Sequence, residues 1–349
     1  MSPHFSAIRK VSTLSYASDG MLEVGCVLVD EQLTLAAITQ KTLTVWDLET
    51  GRELAQFVAQ DDRQFLRAAI TCSVGKLRAV TIDTSGRVTS WEFTKSELIA
   101  KHYPLHTGPQ VQAFTAVDKF FLIGQGAGPT RSVYETPVRD GAVVVWDMTK
   151  SERINHLSHD GYSDSVSVTK YDGKLVAITG SVHAERPLLD PYDSESKLTA
   201  WDLSTGKRLA EPTLTDGPSM PFEDSCLTDC LIGTVVNDRL GAILVGGSGL
   251  TIWDLFDRQQ VKRIACHGHI RRIFWSEAAA GVVLVLGQAS VQSSHHWLRV
   301  FDIRRGELLA DTGTDFDTIE SCGVATYDSV IVCSGRTIYH LQFLTKEGN

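Results

Sequence analysis

Short apolar runs recur along the whole chain, separated by clusters of Gly, Asp and Ser; LRAVTID, KLVAITGS, AILVGGS, VVLVLGQ and VIVCSG are examples. They are rich in Val, Ile, Leu and Thr, too short for helices and bounded by turn formers, so they read as β-strands. Several, such as AVVVW at 142–146, are apolar at consecutive positions and not at alternate ones. A strand of that kind buries both faces, which places it in a sheet sandwiched between two others.

The runs are organised by an internal repeat. Six segments match: TLTVWDLETG (42–51), RVTSWEFTKS (87–96), AVVVWDMTKS (142–151), KLTAWDLSTG (197–206), GLTIWDLFDR (249–258) and WLRVFDIRRG (297–306), with RTIYHLQFLT (336–345) a weaker seventh. Their anchors are Trp46, Trp91, Trp146, Trp201, Trp253 and Phe301, with His340 in the last copy, and successive gaps are 45, 55, 55, 52, 48 and 39 residues. A four-stranded propeller blade needs about 40–45 residues, with insertions falling in loops. Two runs precede each anchor and one follows it, so every copy holds four antiparallel strands, a to d from the inside outward, with the anchor on c. Gly51, Gly206 and Gly306 lie five residues after their anchors, where a positive φ closes a tight hairpin with a bulge.

This pattern predicts an all-β, seven-bladed propeller filling residues 1–349 as one domain. The blades fall at 21–58, 65–103, 110–157, 164–211, 227–266, 269–311 and 318–343. The last copy runs out on its third strand near Phe343, while a spare run, FSAIRKVSTL (5–14), precedes blade one. A propeller that leaves its first and last blades unjoined exposes sheet edges. Residues 5–14 are therefore expected to complete the last blade as its outer strand.

The Trp-Asp pairs at 46–47, 146–147, 201–202 and 253–254, with Trp91-Glu92 and Phe301-Asp302 as variants, make the chain resemble the WD-repeat family of β-propellers over nearly its whole length. The resemblance implies structural roles for Asp47, Asp147, Asp202, Asp254 and Asp302. It also implies a buried hydrogen-bond network in each blade linking a His before strand a, a Ser or Thr on strand b, an Asp before strand c and the Trp. The match to that network is partial: Gly268-His269 fits blade six, Asp140-Gly141 fits blade three, and His159 with Thr179 or Ser181 and Trp201 fits blade four. Most members are non-catalytic, so the resemblance implies an interaction platform.

Composition narrows the role. Apolar residues make up 43% and charged residues 21%, and the net charge is −9. That is an ordinary globular composition, and its acidic balance disfavours direct nucleic-acid binding. There is no apolar run of membrane-spanning length and no secretory signal at the start. The seven cysteines, Cys26, Cys72, Cys226, Cys230, Cys266, Cys322 and Cys333, form no CxxC pair and sit mostly in apolar runs. Free buried thiols are expected, hence a reducing, cytoplasmic location.

Candidate chemistry is sparse. His267 and His269 in CHGHIRRI, with Cys266, could suggest a metal site, but a site needs three or four ligands and they read as a structural His before strand a; Cys226 and Cys230 lack partners and read as buried thiols, and GQGAGPTRS (124–132) lacks the Gly-Lys-Ser/Thr ending of a phosphate loop. No metal, cofactor or catalytic residue is expected. The long connections are more informative. Segments 126–141, 181–197 and 288–297 lie between strands b and c of blades three, four and six, and 211–226 joins blades four and five. All four open on the same face, where long loops on a rigid scaffold carry binding residues. Arg131, Tyr134, Arg139, His183, Arg186, Tyr192 and Phe222 are the side chains there with hot-spot chemistry. The expected function is a scaffold or adaptor, monomeric by itself, that binds one or more proteins through the loops of blades three to five. Two other readings compete: a hydrolase or lactonase-like propeller with a site at the axial mouth, and a non-catalytic partner of an RNA-modifying enzyme. The innermost strands, largely apolar or small, argue against the first.

Overall fold

The structure is a computed structural model that describes residues 5–15, 20–29, 32–59, 63–73, 76–94, 97–103, 107–116, 119–126, 142–150, 152–158, 162–184, 194–212, 231–236, 238–246, 249–275, 281–290, 293, 295–312, 316, 319–326 and 329–345. It is an all-β, seven-bladed propeller. The opening strand β1 (Phe5–Ser15) precedes blade one, which holds β2 (Met21–Val29), β3 (Gln32–Thr39), β4 (Thr42–Asp47) and β5 (Glu53–Val58). Blade two holds β6 (Phe65–Ser73), β7 (Lys76–Asp83), β8 (Val88–Thr94) and β9 (Glu97–Tyr103). Blade three is β10 (Thr107–Ala116), β11 (Lys119–Gly126), β12 (Ala142–Asp147) and β13 (Glu152–Ser158); blade four is β14 (Tyr162–Tyr171), β15 (Lys174–Ala184), β16 (Ser194–Asp202) and β17 (Lys207–Ala210). Blade five is β18 (Leu231–Val236), β19 (Arg239–Gly246), β20 (Gly249–Asp254) and β21 (Gln259–Ala265); blade six is β22 (His269–Trp275), β23 (Val282–Gln288), β24 (His296–Asp302) and β25 (Glu307–Asp311). The last sheet joins β26 (Ser321–Thr326), β27 (Ser329–Ser334) and β28 (Thr337–Thr345) to the opening strand, in the order β1-β28-β27-β26. Phe5 pairs with Thr345 and Ser15 with Thr337, so the expected closure by the N-terminal run is what the chain does.

Backbone packing divides the chain into two compact units, Met1–Leu105 with Ala113–Asp118 and Phe274–Asn349, and His106–Gln112 with Lys119–Ile273. In the first unit, blade one shows why its middle strands carry apolar residues on both faces. Leu33, Leu35, Ala37, Trp46 and Leu48 pack with Ile331, Cys333 and Ile338 of the last blade. The intervening Ala36, Ile38, Leu43 and Val45 pack with Phe65, Leu77, Ala79, Trp91 and Phe93 of blade two. Alternate residues of a strand point to opposite faces, so a strand between two sheets needs apolar residues on both faces. The second unit repeats the scheme, with Trp253, Leu240, Ala242 and Leu244 of blade five against Val176, Ile178, Leu198 and Ala200 of blade four. In each case the Trp faces the blade before its own. Full burial of side chains of this size contributes about 1.5–3 kcal/mol each. The innermost strands come closer still: a Cβ on Gly25 would sit 2.6 Å from Ile70 Cγ2, so any side chain there would force Ile70 to shift.

The Trp-Asp pair builds one local device several times over. The Asp carboxylate accepts hydrogen bonds from the two backbone N–H groups two and three residues ahead: Glu49 and Thr50 to Asp47, Thr149 and Lys150 to Asp147, Ser204 and Thr205 to Asp202, Phe256 and Asp257 to Asp254, and Arg304 and Arg305 to Asp302. All five Asp residues are buried. The turn then closes through a left-handed residue, Gly51, Gly206 or Gly306 at φ of 72, 68 and 76°, and the outer strand rejoins with a register shift just before the anchor in blades one, three, four, five and six. In blade five Arg258 takes the left-handed place at φ 55°, a conformation that costs a side-chain-bearing residue roughly 1–2 kcal/mol. Blade two lacks the device. With Glu92 in place of Asp, β8 and β9 run in unbroken register to Thr94 and Glu97, and Glu92 pairs with Arg78 across the sheet at 2.9 Å.

The expected buried network is present in reduced form. Trp201 Nε1 donates to Thr179 Oγ1 at 3.0 Å and Trp91 Nε1 to Thr81 Oγ1 at 2.9 Å. In both, the Thr stands two residues beyond the cross-strand partner of the Trp, Ala177 and Ala79. Thr179, and not Ser181, is therefore the partner in blade four, while His159 and Asp140-Gly141 lie outside the described residues. Blade three has Gly124 at the matching register, and Trp146 Nε1 is buried without a hydrogen bond among the described residues.

Two outcomes follow. Deleting residues 5–15 exposes the β28 edge, so calorimetry should show a lower Tm and size-exclusion chromatography should show self-association. Thr179→Val leaves the Trp201 indole N–H buried and unsatisfied, which should cost about 1–3 kcal/mol in urea unfolding.

Candidate interaction surface

The two ends of each blade differ in how the backbone is held. At the end carrying the a–b and c–d turns, connections are short and tied. Three of the capping Asp residues have a further partner: Gln32 Nε2 donates to Asp47 at 2.5 Å, Arg239 donates to Asp254 at 3.1 Å, and Lys174 Nζ lies 3.9 Å from Asp202. Arg239 also pairs with Asp257, and Asn155 of blade three donates to the Leu203 carbonyl in the turn of blade four. At the opposite end, β11 and β12 are separated by residues 127–141, and β17 and β18 by residues 211–230.

The carboxylates that cap the turns are committed to structure. Burial pushes the Asp47 carboxyl up, but donors on Thr50, Gln32 and Glu49 outweigh it and hold the pKa below the ordinary range. The Asp202 carboxyl is held down chiefly by the Ser204 hydroxyl, against burial, with the Ser204 and Thr205 amides adding to the effect. Asp83, which caps the b–c turn of blade two, is raised by burial and lowered further by Ser85 and Arg87. None is a free acid or base.

The candidate metal ligands do not converge. Cys266 is buried with its thiol directed at the Ile264 carbonyl at 3.7 Å, whereas His267 is exposed at φ 51°. His269 opens β22, and burial together with Arg271 lowers its pKa, which keeps it neutral at pH 7. His295 lies in a loop and His296 begins β24, where its Nδ1 accepts the Ile319 amide at 2.7 Å. Among the described residues no group of three His, Cys, Asp or Glu side chains comes together.

Of the loop residues expected to contact partners, Arg131, Tyr134, Arg139, Arg186, Tyr192 and Phe222 lie outside the described residues. His183 is on β15, opposite Glu195 of β16. The β15–β16 ladder continues to Ala184 and Ser194, so the insertion expected at 181–197 is strand at both ends, with 185–193 between them. Sequence reasoning missed a partly exposed aromatic pair at the tied end. Phe256, in the c–d turn of blade five, is 38% exposed, with its ring centroid 5.7 Å from that of Tyr171 in blade four. Comparing the turn with its repeats would have found it, because the matching positions hold Glu49, Thr149, Ser204 and Arg304.

No model of a known protein family matches the chain, and no curated protein matches it. Among solved structures it is similar to Raptor from Chaetomium thermophilum, with a TM-score of 0.63 and 13% identity over 97% of this chain. The chain spans 29% of that protein's length. At this identity the likeness carries the fold alone. Fold and repeat together define a WD-repeat-like seven-bladed β-propeller.

The depressed carboxylates fix an acid dependence. Stability from Asp47, Asp83 and Asp202 is fully present above the unfolded carboxylate pKa of about 3.9 and is lost as pH falls through their lower folded values. Thermal unfolding followed from pH 7 to pH 2 should show this component of the Tm holding until that range and then dropping. Ser204→Ala, which removes the largest stabiliser of the Asp202 anion, should move the drop to higher pH.

Proposed function

We propose that this protein is a non-catalytic interaction scaffold or adaptor that captures partner proteins on the loop-bearing end of blades three to five. The observation that carries the reading is the asymmetry between blade ends. Short turns pinned by buried Asp carboxylates hold one end rigid, while the long connections of blades three to five leave from the other. A rigid frame lowers the entropy lost when loops dock, which is how loops on scaffolds gain affinity. The Trp-Asp carboxylates, already bonded within their turns, add support for a non-catalytic role. The Raptor likeness is consistent with a scaffold through the fold alone.

Arg131, Tyr134, Arg139, His183, Arg186, Tyr192 and Phe222 are the contacts of this reading, with Tyr and Arg as its energetic centre. Cys26, Cys266, Cys322 and Cys333 are buried thiols outside any disulfide, which suits a reducing, cytoplasmic setting. Arg131→Glu combined with Arg186→Glu tests the surface. Partners captured by the wild-type chain from native lysate, identified by mass spectrometry, should be lost or strongly depleted with the double variant while its melting curve is unchanged. Undiminished capture by the double variant removes this surface from consideration.

A further inference from the structure

The c–d turn of blade five departs from its own repeats wherever a departure reaches solvent. Two residues after the capping Asp the other turns carry Glu49, Thr149, Ser204 or Arg304, and blade five carries Phe256. Phe256 is the one aromatic side chain among the exposed large hydrophobic residues described. Four residues after the Asp, where blades one, four and six have glycine, blade five holds Arg258 in the left-handed region. The outer strand then starts with Gln259, where blades one, two, three and six start with Glu. None of these choices improves the turn, since the Asp254 cap forms with the same bonds as elsewhere. An exposed ring and a strained arginine both disfavour the isolated fold, and a contact made with something else would account for both.

The strand that follows indicates what that contact is. β21 is the outer strand of its sheet, in the order β18-β19-β20-β21, and among the described residues no further strand pairs with its outer hydrogen-bonding edge. Val261, Arg263 and Ala265 are exposed along it. No Asp or Glu occurs between Asp257 and Glu277, in a chain of net charge −9. Arg258 and Arg263 make no ion pair among the described residues, whereas Arg239, Arg299 and Arg305 each meet an acid.

We infer that the outer edge of blade five, residues 256–265, docks an extended acidic segment of a partner protein as a fifth strand. Backbone pairing along β21 supplies register, the carboxylates of the segment meet Arg258 and Arg263, and an apolar side chain packs against the Phe256–Tyr171 pair. This rests on the scaffold reading but uses a different surface from the loops of blades three to five. An open strand edge favours a peptide over a nucleic acid, because it recognises another backbone amide row and not a phosphate chain.

The probe is a short fluorescein-labelled peptide alternating Glu with Val, compared with a Lys–Val peptide and with oligouridine of equal charge. The intact chain should bind the Glu–Val peptide in fluorescence anisotropy, more weakly as salt rises, with slowed amide exchange across 259–265. Phe256→Ser combined with Arg258→Gly installs the residues that blade four already uses. It should weaken binding about tenfold while the Tm stays level or rises, because glycine relieves the left-handed position. Arg131→Glu with Arg186→Glu should leave this binding intact, which separates failure here from failure of the loop surface. No binding of the Glu–Val peptide, equal binding of the Lys–Val peptide, preference for oligouridine, or full affinity in the Phe256→Ser/Arg258→Gly variant would each overturn the inference.

Discussion

Packing of sheet against sheet is the interaction on which the rest of this structure depends. The middle strands of a blade carry apolar side chains on both faces, and a lone four-stranded sheet can cover neither. Leu35 and Trp46 need the last blade, while Ile38 and Val45 need blade two. Each sheet is therefore the solvent shield of its neighbour, and the array is stable only as far as it continues. The last sheet ends on a third strand without its own fourth, and β1 fills the place, hydrogen-bonded from Phe5 to Ser15. Beginning and end of the chain thus share one sheet, and the outer edge of β28 is covered.

Within that frame the Trp-Asp pair does two jobs at adjacent positions. The aromatic residue fills the space toward the preceding blade, and the Asp beside it, turned the other way, caps the backbone of the next turn. Because the Asp is buried, its anion is held by amides and hydroxyls and not by water. Two of these carboxylates, Asp47 and Asp202, are consequently stronger acids than usual. The device is dispensable in one blade: blade two replaces it with a plain hairpin and an Arg78–Glu92 pair. The repeat thus tolerates erosion of its signature as long as the apolar faces are kept.

A repeated device also gives an internal standard for function. What recurs in every blade is explained by the fold, and what occurs once needs another reason. By that measure the Asp residues are structural, and the turn of blade five, with Phe256 and Arg258 where its repeats have polar residues and glycine, stands apart. The loops of blades three to five stand apart in length. The two features lie at opposite ends of the blades, one on pinned backbone and one on long connections.

The sequence by itself determined the strands, their grouping in fours, the seven-fold repeat and the closing role of the first strand. These are legible because strand burial leaves a local imprint: two-faced apolar runs, a Trp-Asp pair and a glycine at a fixed offset, all within ten residues of one another. Tertiary structure alone decided which hydroxyl meets which indole. Thr179 and Thr81 are chosen by cross-strand register, and register links residues whose separation depends on loop length. It also decided that Phe256 lies beside Tyr171, since proximity between turns of different blades is set by how the sheets stack and leaves no mark on either segment.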